Sequence, residues 1–192
     1  MRKILQRKFY NRSTLKVAKE LLGKYLVVHK NGEKLSGKIV ETEAYIGFND
    51  PASHAHRGMT ERNKVMFGNP GYAYVYLTYG MYHCLNFVTE RNGYPAAVLI
   101  RALEPEQGIE TMQQRRKKEK FEDLTSGPGK LCLAMGIDRS LCGADLCSEV
   151  IYVEDRGEST EKIFSTNRIG VEEGKEKKWR FYIKESGFVS RK

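Results

Sequence analysis

The chain has 192 residues, of which 40% are hydrophobic and 10% aromatic, a composition typical of a folded globular protein and not of a disordered one. Lysine and arginine outnumber aspartate and glutamate by 33 to 24, which gives a net charge of +9. Such a charge favours a polyanionic partner, nucleic acid before an anionic membrane surface. The alternative is a basic protein without such a partner. No apolar run approaches the roughly 18 residues that a membrane-spanning helix needs, so we expect no membrane insertion.

The N-terminal segment is basic but has no apolar stretch behind it, so we do not expect it to be a secretory signal sequence. We expect 1–192 to form a single domain in the cytoplasm, or in the nucleus if the source is eukaryotic. The spacing of apolar residues predicts a helix over 11–22, capped by Ser13 or Asn11. Two β-rich runs follow, separated by Asn31-Gly32, a dipeptide typical of a hairpin turn.

The middle of the chain is predicted to contain further hairpins. Tyr79-Gly80 lies between the β-rich runs 72–77 and 82–88, and Asn92-Gly93 leads into a run over 96–102. Short turns between successive strands indicate antiparallel pairing, because parallel strands need a long crossover connection.

Helices are predicted to follow these strands. Glu104-Pro105 is predicted to open a helix that continues to about 120, and Pro128 a second one that Gly136 closes. Late runs over 150–154 and 180–184 are predicted to be strands. The resulting fold class is α+β, built on an antiparallel sheet with flanking helices.

Two carboxylates and a phenol alternate along the predicted strand that ends at 45. Glu41, Glu43 and Tyr45 therefore share one face of that strand. One interpretation is a solvent-exposed face, and the other is the wall of an active site. The alternation by itself does not decide between them.

A polar loop after this strand contains the pair His54 and His56 near Asp50. Imidazole and carboxylate groups suit zinc or iron, but the segment offers no further ligand cluster, so we expect no metal and no other cofactor. Ser126-Gly-Pro-Gly-Lys130 lacks the spacing of a nucleotide-binding phosphate loop. Helix capping is its preferred interpretation, although Lys130 and the backbone N–H groups could bind a phosphate.

Four segments occur in a fixed order along the chain. They are Ile39-Val-Glu-Thr-Glu-Ala-Tyr45, Tyr74-Val-Tyr-Leu-Thr-Tyr-Gly-Met-Tyr-His-Cys-Leu-Asn86, Leu99-Ile-Arg-Ala-Leu-Glu-Pro105 and Ser126-Gly-Pro-Gly-Lys-Leu-Cys132. Together they closely resemble the alkyladenine (3-methyladenine) DNA glycosylase family that includes the human enzyme. The resemblance extends from about 15 to 189 and implies a mixed domain around a curved antiparallel sheet, with a protruding hairpin that inserts into DNA.

The resemblance also implies roles for individual residues. Glu43 matches the general base that activates water, and Arg101 matches its partner in holding that water and the adjacent phosphate. The carbonyl group of Ile169 matches a further contact to the water.

Other matched residues belong to the binding of the damaged nucleotide. The implied walls of the base pocket are Tyr45, His54 and Tyr76, and Asn86 is the implied obstacle to the 2-amino group of guanine. Tyr79, with Met81 beside it, is implied to enter the minor groove and fill the gap left by the extruded base. The basic residues expected to contact phosphates are Arg57, Arg62, Lys64 and Lys130.

The implied function is hydrolysis of the N-glycosidic bond of alkylated, and also deaminated, purines in duplex DNA by a monomeric enzyme. One alternative is a bifunctional glycosylase and lyase that uses a lysine Schiff base. A second is a DNA- or RNA-binding module without catalysis, in which Glu43 would be dispensable.

Overall fold

One sheet of nine strands dominates the computed structural model, which describes residues 3–30, 32–117, 120–158 and 162–191. The strands are β1 (Lys3–Ile4), β2 (Tyr25–Lys30), β3 (Glu33–Ile46), β4 (Ala73–Thr78), β5 (Tyr82–Val88), β6 (Ala96–Gln107), β7 (Ile151–Asp155), β8 (Ile163–Thr166) and β9 (Arg180–Ile183). The α-helices are α1 (Arg7–Tyr10), α2 (Thr14–Glu20), α3 (Ile109–Arg116) and α4 (Pro128–Met135). Short 3-10 helices cover Lys64–Phe67, Phe121–Asp123 and Arg139–Leu141.

The strands follow the order β1-β7-β2-β3-β6-β5-β4, and β9 pairs with both β3 and β8. All the pairings in the described ranges are antiparallel. The prediction of an α+β fold on an antiparallel sheet is therefore confirmed.

The 14-residue strand β3 lies in the centre of the sheet and pairs with three other strands. On one side it pairs with β6 over nearly its whole length, from Ser36 to Ile46. On the other side it pairs first with β2 and then, from Glu41 to Glu43, with β9. The middle of β3 consequently has a strand on each side, and its residues Glu41 and Glu43 are fully buried.

Helices cover the sheet and complete the core. α2 packs on β3 and β6, and α4 packs on β5 and β6. A smaller cluster of Ala55, Met66, Tyr74, Val88 and Ala97 supports the base of the β4–β5 hairpin. None of the helices in the described part of the chain is long and apolar enough to cross a bilayer.

The predicted helix from Glu104-Pro105 to 120 is wrong in its first half. β6 continues through Pro105 to Gln107, and α3 begins only at Ile109. The strand tolerates a proline here because the β3–β6 register shifts between Ser36 and Gly37, and a proline without an N–H group is accommodated at such irregularities. α4 begins at Pro128 and is closed by Gly136, as predicted.

The N-terminal helix is shorter than predicted. α2 starts after Ser13, and the backbone N–H of Thr14 donates to the carboxylate of Glu90 at 2.7 Å instead of to a local cap. The short strands β1 and β8 were not predicted. Asn31 of the predicted first hairpin turn lies outside the described residues, whereas the strands on either side of it pair as expected.

Candidate active site

The centre of β3 holds a buried carboxylate, Glu43, with partners on both of its oxygen atoms. Oε2 accepts hydrogen bonds from the hydroxyl of Tyr45 at 2.8 Å and from Nη1 of Arg101 at 3.2 Å. Oε1 accepts one from the backbone N–H of Ile169 at 2.7 Å, so this residue contacts Glu43 through its amide. Oε2 thus has two donors whereas Oε1 has one, so Oε1 can accept a further hydrogen bond.

Glu41 is also fully buried, which excludes the exposed-face interpretation of the alternating residues. Its Oε1 accepts hydrogen bonds from Nε of Arg101 at 3.0 Å and from Nε of Arg180 at 2.7 Å. Buried charges need such pairing because an isolated ion in the interior is very unfavourable. We call Glu41, Glu43, Arg101 and Arg180 the charged network; its two negative and two positive charges balance.

An irregularity in the β3–β6 ladder brings Arg101 to both carboxylates. Glu41 pairs with Ala102 but Thr42 pairs with Ile100, so Arg101 is the extra residue of a β-bulge. Bulges bend the strand and redirect a side chain. Burial lowers the pKa of Arg101, but the charges of Glu43 and Glu41 raise it above its ordinary value, so the guanidinium stays protonated.

An aromatic pocket of about 170 Å³ is connected to the charged network through Tyr45, which lines the pocket and contacts Glu43. Its lining residues are Tyr45, Ala52, His54, Met66, Tyr74, Tyr76, Thr78, Asn86, Ala97, Gly170 and Val171. The residues expected at a base pocket, Tyr45, His54, Tyr76 and Asn86, are thus brought together around one cavity. Asn86 is held at its wall by hydrogen bonds from Nδ2 to the carbonyl groups of Tyr74 and Cys84, at 3.1 and 3.4 Å.

His54 is oriented by neighbouring rings. Its Nδ1 lies 3.1 Å from the hydroxyl of Tyr74, and its ring stands edge-on to that of Tyr76, with the centroids 4.5 Å apart. Burial, with a smaller effect of the Arg62 charge, lowers the pKa of His54 to about 4. Burial also raises the pKa of Tyr76 above its usual range, so both of these side chains are neutral near pH 7.

A buried ion pair between Asp50 and Arg168 connects the two loops that contribute His54 and Gly170 to the pocket. Arg168 donates to both oxygens of Asp50 at 2.6 and 2.7 Å and to the carbonyl of Ala44 at 3.0 Å. Its guanidinium also lies 4.7 Å from the ring centroid of Tyr45. This pair therefore positions the loop of His54, a wall of the pocket, and the adjacent Ile169 that contacts Glu43.

The β4–β5 hairpin ends in the predicted Tyr79-Gly80 turn, with positive φ angles of 50° and 69°. The exposed fractions of Tyr79 and Met81 are 83% and 67%. Two apolar side chains therefore project from the tip of a two-stranded ribbon. We call Tyr79 and Met81 the hairpin tip.

The four basic residues expected at phosphates are scattered around this region. The guanidinium of Arg62 lies 5.2 Å from the ring centroid of Tyr76, and Arg57 lines an adjoining cavity of about 380 Å³ that shares His54 with the aromatic pocket. Lys64 forms an exposed ion pair with Glu61 at 2.8 Å. Lys130 donates to the hydroxyl of Ser126 at 3.2 Å at the start of α4, which packs against the hairpin strand β5.

The residues considered for a metal have other partners. His54 contacts Tyr74, Nδ1 of His56 lies 2.5 Å from the carbonyl oxygen of Phe48, and Asp50 is bound to Arg168. Among the described residues, no group of three or more histidine, cysteine or acidic side chains could hold a metal ion.

Several residues of the site were not predicted from the sequence. They are Asp50 as an ion-pair partner, Tyr74, Arg168, Arg180 and Ser190. Each acts by supporting a predicted residue, and most are far from it in sequence. Only Asp50 gave a local signal, through its position in the histidine loop.

Known proteins resemble this chain over nearly its whole length. The family model described as methylpurine-DNA glycosylase matches residues 8–187. Relatives from Alkaliphilus oremlandii and Methanocella arvoryzae are 56% and 57% identical, over 98% of this chain and 99% and 96% of their own lengths. A relative from Carboxydothermus hydrogenoformans is 51% identical over 98% of this chain and 100% of its own. All three bear the provisional name 3-methyladenine DNA glycosylase.

Proposed function

This chain belongs to the methylpurine-DNA glycosylase family, and from that premise we propose that it excises alkylated purines, 3-methyladenine among them, from duplex DNA. It acts as a monomer, extrudes the damaged nucleotide and hydrolyses the N-glycosidic bond, which leaves an abasic site. Deaminated purines such as hypoxanthine form a second substrate class. The observation that carries this proposal is the 2.8 Å hydrogen bond between Tyr45 and Glu43, because it joins the pocket wall to a buried carboxylate.

The aromatic pocket suits a flat cation. A purine alkylated at N3 or N7 carries a positive charge, and an aromatic face attracts such a ring by about 0.5–2 kcal/mol. Tyr45 and Tyr76 supply aromatic faces. His54 does not repel the cation, because its lowered pKa of about 4 keeps it neutral near pH 7.

The chemistry follows from the acceptor position left on Glu43. A water molecule bound to Oε1 gives its proton to the carboxylate while its oxygen attacks C1′ of the sugar. The bond from C1′ to the purine breaks, and its electron pair leaves with the base. An alkylated purine leaves as a neutral molecule, so the step needs little acid catalysis, and the negative charge of Glu43 stabilises the oxocarbenium-like sugar.

The hairpin tip accounts for access to the base. An enzyme cannot reach the glycosidic bond inside the stack, and extrusion of a nucleotide costs a few kcal/mol. Tyr79 and Met81 are exposed and mounted on a paired ribbon, so they can occupy the vacated space in the minor groove.

Phosphate contacts would hold the duplex in register. Arg57 and Arg62 lie beside the pocket, and the elements that carry Lys64 and Lys130 pack on the hairpin strands β4 and β5. All four would bind phosphates without reading sequence. Arg101 is too deeply buried to leave the charged network, so its main role in this proposal is to bind the carboxylate of Glu43. An adjacent phosphate would be bound only by the guanidinium N–H groups that Glu41, Glu43 and Ser190 do not occupy.

The bifunctional alternative requires an amine beside the sugar. No lysine is among the described residues that line the aromatic pocket, which favours direct attack by water.

Duplexes that each contain one defined lesion test the proposal. We expect incubation with 3-methyladenine, 7-methylguanine or hypoxanthine duplexes to create alkali-labile sites, and the matched undamaged duplex to stay intact. Borohydride added during the reaction is expected to trap no covalent complex. Binding of the lesion duplexes without release of any base would support the non-catalytic alternative and contradict the proposal.

A further inference from the structure

The C-terminal segment reaches into the charged network through Ser190. The backbone N–H of Ser190 donates to Oε2 of Glu41 at 2.6 Å, and its hydroxyl donates to Oε1 at 2.8 Å. The same hydroxyl lies 3.4 Å from Nη2 of Arg101, from which it accepts a hydrogen bond. Nη2 of Arg180 donates to the carbonyl of Arg191.

This segment is anchored and not merely lying on the surface. Phe188 and Val189 are both buried, with 9% of their surface exposed. The ring of Phe188 packs edge-on against Phe121 at a centroid distance of 5.1 Å. Ser190 is thereby fixed at the point where Glu41 and Arg101 meet.

Arg101 divides its guanidinium among three partners. Nε contacts Glu41, Nη1 contacts a single oxygen of Glu43, and Nη2 contacts Ser190. An arginine facing a carboxylate commonly binds both oxygens in parallel. Such a pairing on Glu43 would occupy the acceptor position on Oε1 that remains beside the Ile169 amide.

We propose that Glu41 and Ser190 are positioning residues that hold Arg101 to one oxygen of Glu43 and so keep the other oxygen open to water. The inference rests on the proposed function, because it concerns the water that Glu43 activates. Glu41 and Ser190 bind no substrate in this scheme. They act through Arg101, and the segment that carries Ser190 thereby supports the proposed catalytic carboxylate from outside the substrate pocket.

Ser190→Ala is the principal test, since it removes the hydroxyl and leaves the backbone hydrogen bond in place. We expect the single-turnover rate of base release from a 7-methylguanine duplex to fall by about 3- to 10-fold, because the hydroxyl's two hydrogen bonds, to Glu41 and Arg101, are lost. The dissociation constant for the same duplex is expected to stay within about twofold, because no DNA contact changes. Ser190→Thr restores a hydroxyl and is expected to recover most of the rate.

Ser186→Ala is the matched control. Ser186 lies on the same segment, is buried, and accepts a hydrogen bond from the N–H of Phe188 at 3.2 Å, but it does not contact the charged network. We expect it to lower the melting temperature slightly, because one hydrogen bond to a backbone N–H is lost, while leaving the rate of base release unchanged. All rates are measured at a temperature at which circular dichroism shows the variants to be folded.

Glu41→Gln extends the test to the second positioning residue. It removes the charge that holds Nε of Arg101, and we expect a rate loss of about 100-fold, as for a misplaced catalytic group. In the double variant with Ser190→Ala, the second substitution is expected to add little, because both act through Arg101.

The outcomes separate this inference from the proposed function. A wild-type chain that releases no lesion base contradicts the proposed function. A wild-type chain that releases the base while Ser190→Ala matches its rate, or while Ser186→Ala loses as much rate as Ser190→Ala, contradicts the positioning role alone.

Discussion

The charged network and the hairpin tip differ in how much of their side-chain surface is buried and contacted within the folded chain. Glu41 and Glu43 are fully buried, and every oxygen of the two carboxylates has a partner inside the chain. Tyr79 and Met81 are mostly exposed. The proposed catalytic carboxylate therefore lies in a region where the fold itself supplies most of the contacts, whereas the residues proposed to enter DNA lie where only a bound duplex would supply contacts.

This difference predicts two kinds of variant. Substitutions in the charged network should lower both the free energy of unfolding and the rate of base release, since the same contacts serve both. Substitutions at the hairpin tip should lower base release and leave stability nearly unchanged.

The largest effect is expected for Arg101→Met. This variant leaves Glu41 and Glu43 with Arg180 as the only cation of the charged network, and breaking a buried pair in this way costs about 3–5 kcal/mol. We expect urea unfolding, followed by circular dichroism, to shift accordingly, and base release to be abolished. Arg101→Lys keeps the positive charge without the branched guanidinium, and its stability should lie between those of the wild type and Arg101→Met. An unshifted unfolding curve for Arg101→Met would show that the charged network does not stabilise the fold.

For Tyr79→Asn we expect a smaller loss of base release, without the loss of stability expected for Arg101→Met. Tyr79 adopts a φ of 50°, a left-handed conformation that asparagine tolerates better than other non-glycine residues, so the unfolding free energy should stay equal or rise by a few tenths of a kcal/mol. Loss of aromatic stacking, worth about 1–3 kcal/mol, should reduce base release by roughly 10-fold or more. Unchanged excision by this variant would rule out Tyr79 as the wedge.

The smallest effect concerns the pH dependence of stability at His54. Its pKa is about 4 in the folded protein, against 6.5 for the free side chain, so the unfolded chain binds the proton first as the pH falls. The resulting stabilisation is complete above pH 6.5 and is lost as the pH approaches 4. We expect His54→Phe to lose less stability than the wild type across this interval, by a modest amount because His54 is only partly enclosed and solvent screens its charge. Identical slopes would contradict the lowered pKa of His54.

The sequence predicted the parts of the fold that depend on local chemistry. The Tyr79-Gly80 turn and the start of α4 at Pro128 follow from the backbone preferences of the residues present, and the structure contains both. The helix predicted to begin at Pro105 was wrong, because pairing with the distant strand β3 determines the conformation of that segment. β6 follows the long strand β3, and the bulge opposite Gly37 accommodates the proline.

The same distinction applies to the site. Alternation placed Glu41 and Glu43 on one face but could not show whether that face was buried, since Arg101, Arg180 and Ser190, which contact Glu41, come from distant segments. The family resemblance pointed to Glu43 and Arg101. It gave no indication of Arg180 or Ser190, which reach the network only through tertiary folding from the C-terminal end of the chain.

The central claim is that Glu43 breaks the bond from within the charged network. Glu43→Gln retains the shape and removes the base, and Glu104→Gln, which alters a half-exposed carboxylate paired with Lys38 on the neighbouring strand, is its control. Single-turnover release of 3-methyladenine and the dissociation constant for the lesion duplex are measured for both variants. We predict that Glu43→Gln binds the duplex within a few-fold of the wild type but releases the base roughly 100- to 10,000-fold more slowly, while Glu104→Gln matches the wild type. Release by Glu43→Gln at the wild-type rate would contradict the account.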